Sequence, residues 1–268
     1  MPSAAFSGQS VVIVGGSSGI GEATAREFAA EGAGVIITGR SRERLEAAAG
    51  RIGHPVRVAE LDAADAAAVP AFFSGQGPVD HLVLAATASS GSGAGGPLSG
   101  LEGEALRQAF EGKFFVYFNV LKAAAVRQSV TMVTAGSARA AFPGTAGLAA
   151  VNGALEAMVA PLAAELAPVR VNAVSPGVID TPWWNAMPPG QRAAVFEATA
   201  ASALSGRVGQ PDDVARAVTY LAGAGFVTGT VLECTGGATL ATGTSLARAR
   251  PAAAAGDQAE ARGQDSAM

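Results

Sequence analysis

The chain has 268 residues, of which 49% are hydrophobic and only 15% charged, with a formal net charge of −4. That length lets one α/β domain bury a large core, and without a Lys/Arg cluster no nucleic acid or other polyanion is expected as a partner. Cys234 is the single cysteine, so no internal disulfide forms and a reducing compartment is expected.

No basic segment precedes the first apolar run at Val11, and no apolar run approaches the ~20 residues of a membrane span. Neither a signal peptide nor a membrane helix is therefore expected, and the protein is read as cytoplasmic. Short β-branched runs then recur in chain order at Val11–Val14, Val35–Thr38, Val56–Ala59, His81–Ala85, Val130–Thr134, Val169–Val174 and Thr230–Cys234. Most are continuously apolar, as in strands covered on both faces. The Ala-rich segments between them suit crossover helices. The alternation predicts an α/β fold: a Rossmann-type, doubly wound parallel sheet of seven strands in one domain, residues 1–243. Two stretches break the rhythm. Ala88–Pro97 is Gly/Ser-rich and reads as a flexible loop at the sheet's carboxyl edge, and residues 244–268 read as a disordered, Ala-rich C-terminal tail.

The first strand runs straight into Gly15-Gly16-Ser17-Ser18-Gly19-Ile20-Gly21. Gly15 suits a tight turn, and Gly19 and Gly21 leave room for a pyrophosphate at a helix N-terminus, where free N–H groups and the dipole favour anions. At the end of the second strand the chain reads Thr38-Gly39-Arg40-Ser41-Arg42, with no carboxylate for a ribose 2′-hydroxyl. Arg40 is placed to pair with a 2′-phosphate, with Ser17, Ser41 or Arg42 adding donors, so NADP(H) is the expected cofactor. Asp62, after the third strand, is a candidate acceptor for an adenine amino group, with a helix cap as its alternative role. No metal site is expected.

From about Ser10 to Leu240 the chain resembles the short-chain dehydrogenase/reductases. Besides the glycine motif, the resemblance rests on Asp62 and on Glu165–Gly177 (ELAPVRVNAVSPG). Gly206–Ala215 (GRVGQPDDVA) and Thr228-Gly229 with Gly236-Gly237 complete it. It implies that Pro176, Gly177, Ile179 and Thr181 belong to the loop that closes over the nicotinamide. It also implies an oligomer, a dimer or tetramer assembled through the helices after the fourth and fifth strands.

The family's catalytic residues have no counterpart. Leu84-Ala85-Ala86-Thr87 replaces the usual Asn-Ala-Gly, the tetrad asparagine aligns with Lys113, and the serine aligns with Ala135 or Gly136. The Tyr-x-x-x-Lys pair aligns with Leu148 and Asn152. Leucine has no proton to give, and losing a placed general acid forfeits roughly 10²–10⁴ in rate. Three readings remain open: hydride transfer to a substrate that needs no tyrosine acid, such as an iminium or an activated alkene; redox-neutral cyclisation or isomerisation; and a cofactor-binding scaffold. Asn152 is a candidate for the nicotinamide ribose, and Lys113 for contact with substrate or Asn152. Asp180 and Trp183 are candidates for holding a cationic substrate, by charge and by an indole face. Thr134, Ser137 and Arg139 are the nearest polar substitutes for the lost serine. His54 and His81 are assigned no chemistry. The run from Phe114 to Phe118 reads as core or subunit interface.

Overall fold

A computed structural model describes residues 4–87 and 94–240. Seven strands, β1 (Ser10–Val14), β2 (Gly34–Gly39), β3 (Val56–Glu60), β4 (Val79–Leu84), β5 (Val126–Val133), β6 (Arg170–Pro176) and β7 (Val231–Cys234), form one parallel sheet. Their order is β3-β2-β1-β4-β5-β6-β7. Alternation along β1 divides the core. Val11 and Ile13 face one side with Phe28, Leu45 and Val218, whereas Val12 and Val14 face the other with Phe73, Tyr117 and Leu155. Both faces are dry, which is why these strands read as unbroken apolar runs.

The first layer comprises α1 (Gly19–Ala30), α2 (Arg42–Ile52) and α8 (Pro211–Gly223); the second comprises α3 (Ala68–Gln76), α5 (Val116–Ala123) and α6 (Ala146–Glu165). Local chemistry sets several of their ends. The Ser41 hydroxyl accepts from Arg44 N at 3.3 Å to start α2, and Gly53 ends it with φ of 73°. Pro211 opens α8 inside a capping box between Gln210 and Asp213. Arg207 and Arg216 hold the Asp213 carboxyl down to about 2. A further helix, α4 (Gly103–Ala109), continues through a π-helical segment, Phe110–Phe115, into α5. Such wide turns are frequent at functional sites, and here the segment carries Lys113, whose side chain is buried. Beyond β6, a 3₁₀ turn (Pro182–Ala186) and α7 (Pro189–Ser202) form a cover that buries none of its own residues.

Three expectations need correction. β5 begins at Val126, not Val130, because the exposed Arg127 and Gln128 disguise its first turn of ladder. Helix α6, at 20 residues and mean hydropathy 1.4, does reach the length and apolarity of a membrane span. Its alanines and glycines carry that value, yet the helix buries Asn152 and packs on the sheet through Leu155 and Val159. Gly21 does not make room for a phosphate: a Cβ there would collide with Gly15 O, so its bare Cα lets α1 close onto the loop. The tail and residues 88–93 of the Gly/Ser-rich loop lie outside the described residues.

Candidate functional site

Strand order reverses between β1 and β4, and the crevice at their carboxyl ends is where a doubly wound sheet takes its ligand. The β1–α1 loop lies there, pinned by Gly15 N and Gly16 N donating to Thr38 O at 3.0 and 3.1 Å. Gly15 has φ of 94°, and a Cβ on it would sit 2.5 Å from Ala86 N. On Gly16 a Cβ would meet Ile37 at 2.6 Å, a requirement the motif did not announce. Ser18 precedes α1 without capping it by its side chain, so the first amides of the helix, including those of Ile20 and Gly21, keep free N–H groups beside Gly19.

Arg40 is exposed at the end of β2 and forms no ion pair among the described residues. Ser17 lies next to Gly39, and Ser41 is engaged as the α2 cap. Arg42 turns away to Glu46 at 2.9 Å. A cleft of about 500 Å³ runs from Ser17, Ser18 and Gly19 past Arg44 and Arg51 to Pro182. Arg51 is neutralised by Glu22 at 2.7 Å. Arg44, which sequence reasoning passed over, has no carboxylate partner among the described residues. Asp62 is exposed and accepts from Ala64 N at 3.1 Å; the start of α3 is held by Asp65 instead, so the helix-cap role for Asp62 falls away.

Across the crevice, Pro176 and Gly177 close the end of β6, with Gly177 N donating to Cys234 O at 3.1 Å. Ile179 is buried and bridges Gly209. Thr181 approaches Gly19 so closely that a Cβ there would lie 3.2 Å from its methyl. The two loops assigned to opposite ends of one cofactor therefore do meet.

Position 148 holds no acid. Leu148 packs with Ala94, Phe110, Phe114 and Val151 in a small apolar cluster. Behind it, the Lys113 ammonium donates to Asn152 Oδ1 at 2.8 Å and to Thr134 O at 3.2 Å. Burial pushes Lys113 down to about 8, offset in part by Glu156. The Asn152 amide nitrogen donates to Leu148 O at 2.9 Å and approaches Ser137 Oγ at 3.5 Å. Sequence reasoning missed Glu156, one turn further along α6: its carboxylate accepts from Thr134 Oγ1 and Arg139 Nε, both at 2.8 Å. The i, i+4, i+8 spacing of Leu148, Asn152 and Glu156 was the available signal. Tyr117 is no substitute acid. It is fully buried, donates to Val133 O at 2.9 Å, and burial raises it far above the usual phenol range.

Asp180 does not offer the free carboxylate expected of it: Arg192 of α7 sits 2.5 Å from Oδ1. The same guanidinium lies 5.1 Å from the centre of the Phe196 ring. Trp184 donates to Ile179 O at 2.9 Å and stands edge-on to both Phe196 and Trp183. Trp183 is half-buried, so its indole forms part of the cover.

Known proteins match this arrangement over most of the chain. A family model described as enoyl-(acyl carrier protein) reductase matches residues 14–239. The short-chain dehydrogenase/reductase ATR9 of Stachybotrys chlorohalonatus is 32% identical over 255 residues, 87% of this chain and 98% of that protein. The 3-oxoacyl-[acyl-carrier-protein] reductase FabG of Escherichia coli is 29% identical over 87% of this chain and 98% of its own. Among solved structures, a small-chain dehydrogenase in complex with NADPH superposes with a TM-score of 0.74 at 30% identity, covering 87% of this chain and 99% of that one.

Proposed function

Because the chain belongs to the short-chain dehydrogenase/reductase family, whose members here are oxidoreductases, we propose that it is an NADPH-dependent reductase with a non-standard active site. Its substrate is one that needs no tyrosine acid, an iminium or an activated alkene. The observation that carries this reading is a contrast within one cleft: the dinucleotide cradle keeps its glycines and an unpaired Arg40, while Leu148 is packed into an apolar cluster. Gly15 lets the loop turn close against the Ala85–Ala86 main chain, and the uncapped α1 terminus leaves amides for a pyrophosphate, so the residues present fit a dinucleotide. Arg40, with Ser17 beside it, supports the choice of the 2′-phosphorylated form.

When bound, the reduced cofactor supplies hydride. The chain's own residues hold the phosphates on α1, cover the pocket with Trp183 and α7, and support its floor with Lys113 and Asn152. The matched family model is named for enoyl reduction, which is an alkene chemistry, and this favours the activated alkene. We also propose a homo-oligomer, since Phe115, at the end of the π-helical segment, and Phe118, in α5, remain 40% and 38% exposed. Light scattering that returned a monomer mass at micromolar concentration would count against that assembly.

The test of function is a panel of ketones, cyclic imines and enones with NADPH, followed by absorbance of the reduced cofactor, beside fluorescence titrations of NADPH and NADH. Tight NADPH binding with turnover of imines or enones and poor ketone reduction is expected. Ketone reduction at ordinary family rates refutes the role given to Leu148. Equal affinity for NADPH and NADH refutes the role given to Arg40. Silence across the panel despite tight binding returns the site to redox-neutral chemistry or scaffolding.

A further inference from the structure

Among the described residues, the cations around the substrate end of the crevice are all engaged. Arg139, on the turn after β5, stands between two carboxylates, Glu156 at 2.8 Å and Glu233 at 3.8 Å. Arg192 of the cover holds Asp180, and Arg207 beyond it holds Asp213. On α4, Arg107 lies 3.4 Å from Glu104. Lys113 is buried, with its ammonium spent on Asn152 and Thr134 O. Residues 88–93 carry no charged side chain. Glu197 of α7 is exposed and joins no ion pair among the described residues, so the charge left over there is negative. The unpaired Arg40 and Arg44 belong to the opposite, β2–α2 end of the cleft. A phosphate or carboxylate arriving at the substrate end therefore finds no free cation to replace its water, and the formal charge of −4 repels it further.

Apolar side chains border that end instead. Leu98 opens a 3₁₀ turn (Leu98–Gly100) in the connection after β4 and is 77% exposed; Phe142, in the connection after β5, is 50% exposed. The two connections are tied together by Gly96 N donating to Gly144 O at 2.8 Å, and Gly95 lies against Leu148. From the other side, the cover after β6 brings the half-buried Trp183. Large apolar groups left uncovered beside a ligand crevice suit an apolar ligand.

We propose that the substrate is a free, uncharged, apolar α,β-unsaturated carbonyl compound seated against Leu98, Phe142, Leu148 and Trp183, and not an acyl group borne on coenzyme A or a carrier protein. Both of those carriers bring phosphate. This rests on the reductase reading above and narrows its activated alkene by charge and by carrier. It also departs from the carrier-borne substrate in the name of the Escherichia coli relative.

The chain's two tryptophans, Trp183 and Trp184, both lie on the cover, so their fluorescence reports substrate binding without turnover. Binding to the full chain is titrated with NADP⁺ present, and turnover is followed with NADPH. The probes are 4-phenyl-3-buten-2-one, 2-octenoyl-N-acetylcysteamine and 2-octenoyl-coenzyme A; the last two share acyl chain and thioester and differ in the phosphates. The uncharged thioester is expected to bind about ten-fold more tightly than the coenzyme A ester. Leu98→Asp/Phe142→Asp should weaken the phenyl enone about ten-fold through lost apolar contact, with NADPH affinity unchanged. Leu98→Arg/Phe142→Arg should weaken the enone likewise yet tighten the coenzyme A ester about five-fold, an exchange that damage to the fold does not produce. Equal or tighter binding of the coenzyme A ester by the parent chain, or an enone affinity unmoved by Leu98→Asp/Phe142→Asp, overturns the proposal and leaves the reductase reading standing. The expected order of binding with no turnover of any probe keeps the preference for uncharged apolar ligands and overturns the reductase reading. Failure to bind NADPH overturns both.

Discussion

At the β1–β2 end of the cleft the groups that matter are backbone atoms exposed by glycines, whereas at the α5–α6 end they are side chains that hold one another. The first arrangement tolerates no substitution, since a Cβ on Gly15, Gly16 or Gly21 would overlap main chain or Ile37. The second asks only that donors meet acceptors, and here Lys113 and Asn152 meet that condition across two helices. The difference teaches that two ends of one cleft can be set by different physics. The first is written in backbone geometry, and the second in exchangeable hydrogen-bond partners.

The comparison breaks most visibly at Gly21. Gly21→Val forces α1 off the glycine loop and should cost about 3 kcal/mol, lowering Tm by about 10 °C and abolishing NADPH binding; calorimetry with and without cofactor checks it. A retained Tm would show that the loop yields. At the other end, Asn152→Lys places a second ammonium against the buried Lys113 and should cost about as much, roughly 3 kcal/mol. Adding Lys113→Asn should restore Tm, because the pair is then transposed with one cation kept. For the same reason, Leu148→Tyr/Asn152→Lys is expected to gain ketone reduction only when Lys113→Asn accompanies it.

A smaller effect sharpens the recognition of phosphate. Arg40→Asp removes a charge-assisted bond worth about 2 kcal/mol and should weaken NADPH roughly 30-fold while leaving NADH nearly unchanged, read by fluorescence titration. Equal losses for both dinucleotides would place the 2′-phosphate elsewhere, with the unpaired Arg44 the next residue to test.

Stability at acid pH separates the opposite end of the sheet from both. His81 is buried between Gln9 Oε1 at 2.6 Å and Ser129 Oγ at 2.7 Å, with Phe6 and Phe28 against its ring. Burial pushes it from 6.5 down to about 4. The unfolded chain therefore takes up this proton first, and stability should fall as pH drops through that window. Tm plotted against pH should be flatter there for His81→Gln than for the parent chain. The smallest effect is Arg192→Ala. The half-exposed pair with Asp180 stabilises by about 1 kcal/mol, so Tm should move little, but freeing the carboxylate should lower KM for 2-methyl-1-pyrroline several-fold. An unchanged KM would show that Asp180 does not face the substrate.

Much of this was open to sequence reasoning, for identifiable reasons. Strands buried on both faces cannot hide their apolar runs, so β1, β2 and β6 were located almost to the residue, while the amphipathic entry of β5 at Arg127 and Gln128 escaped. The turn at Gly15 was legible because a left-handed φ arises for few physical reasons.

Residue types in order along the chain determined the sheet and the glycine turn after β1, since each depends on local geometry or on periodicity that one segment carries alone. Only the tertiary structure decided which charges were free. Asp180 and Arg192 are joined across a turn, Glu156 and Arg139 across a helix and a strand end, and Lys113 and Asn152 across two helices. Partners so far apart in sequence leave no periodic trace, so which carboxylates are already engaged, and which amide orientation Asn152 takes, emerge only when these elements are packed side by side on the sheet.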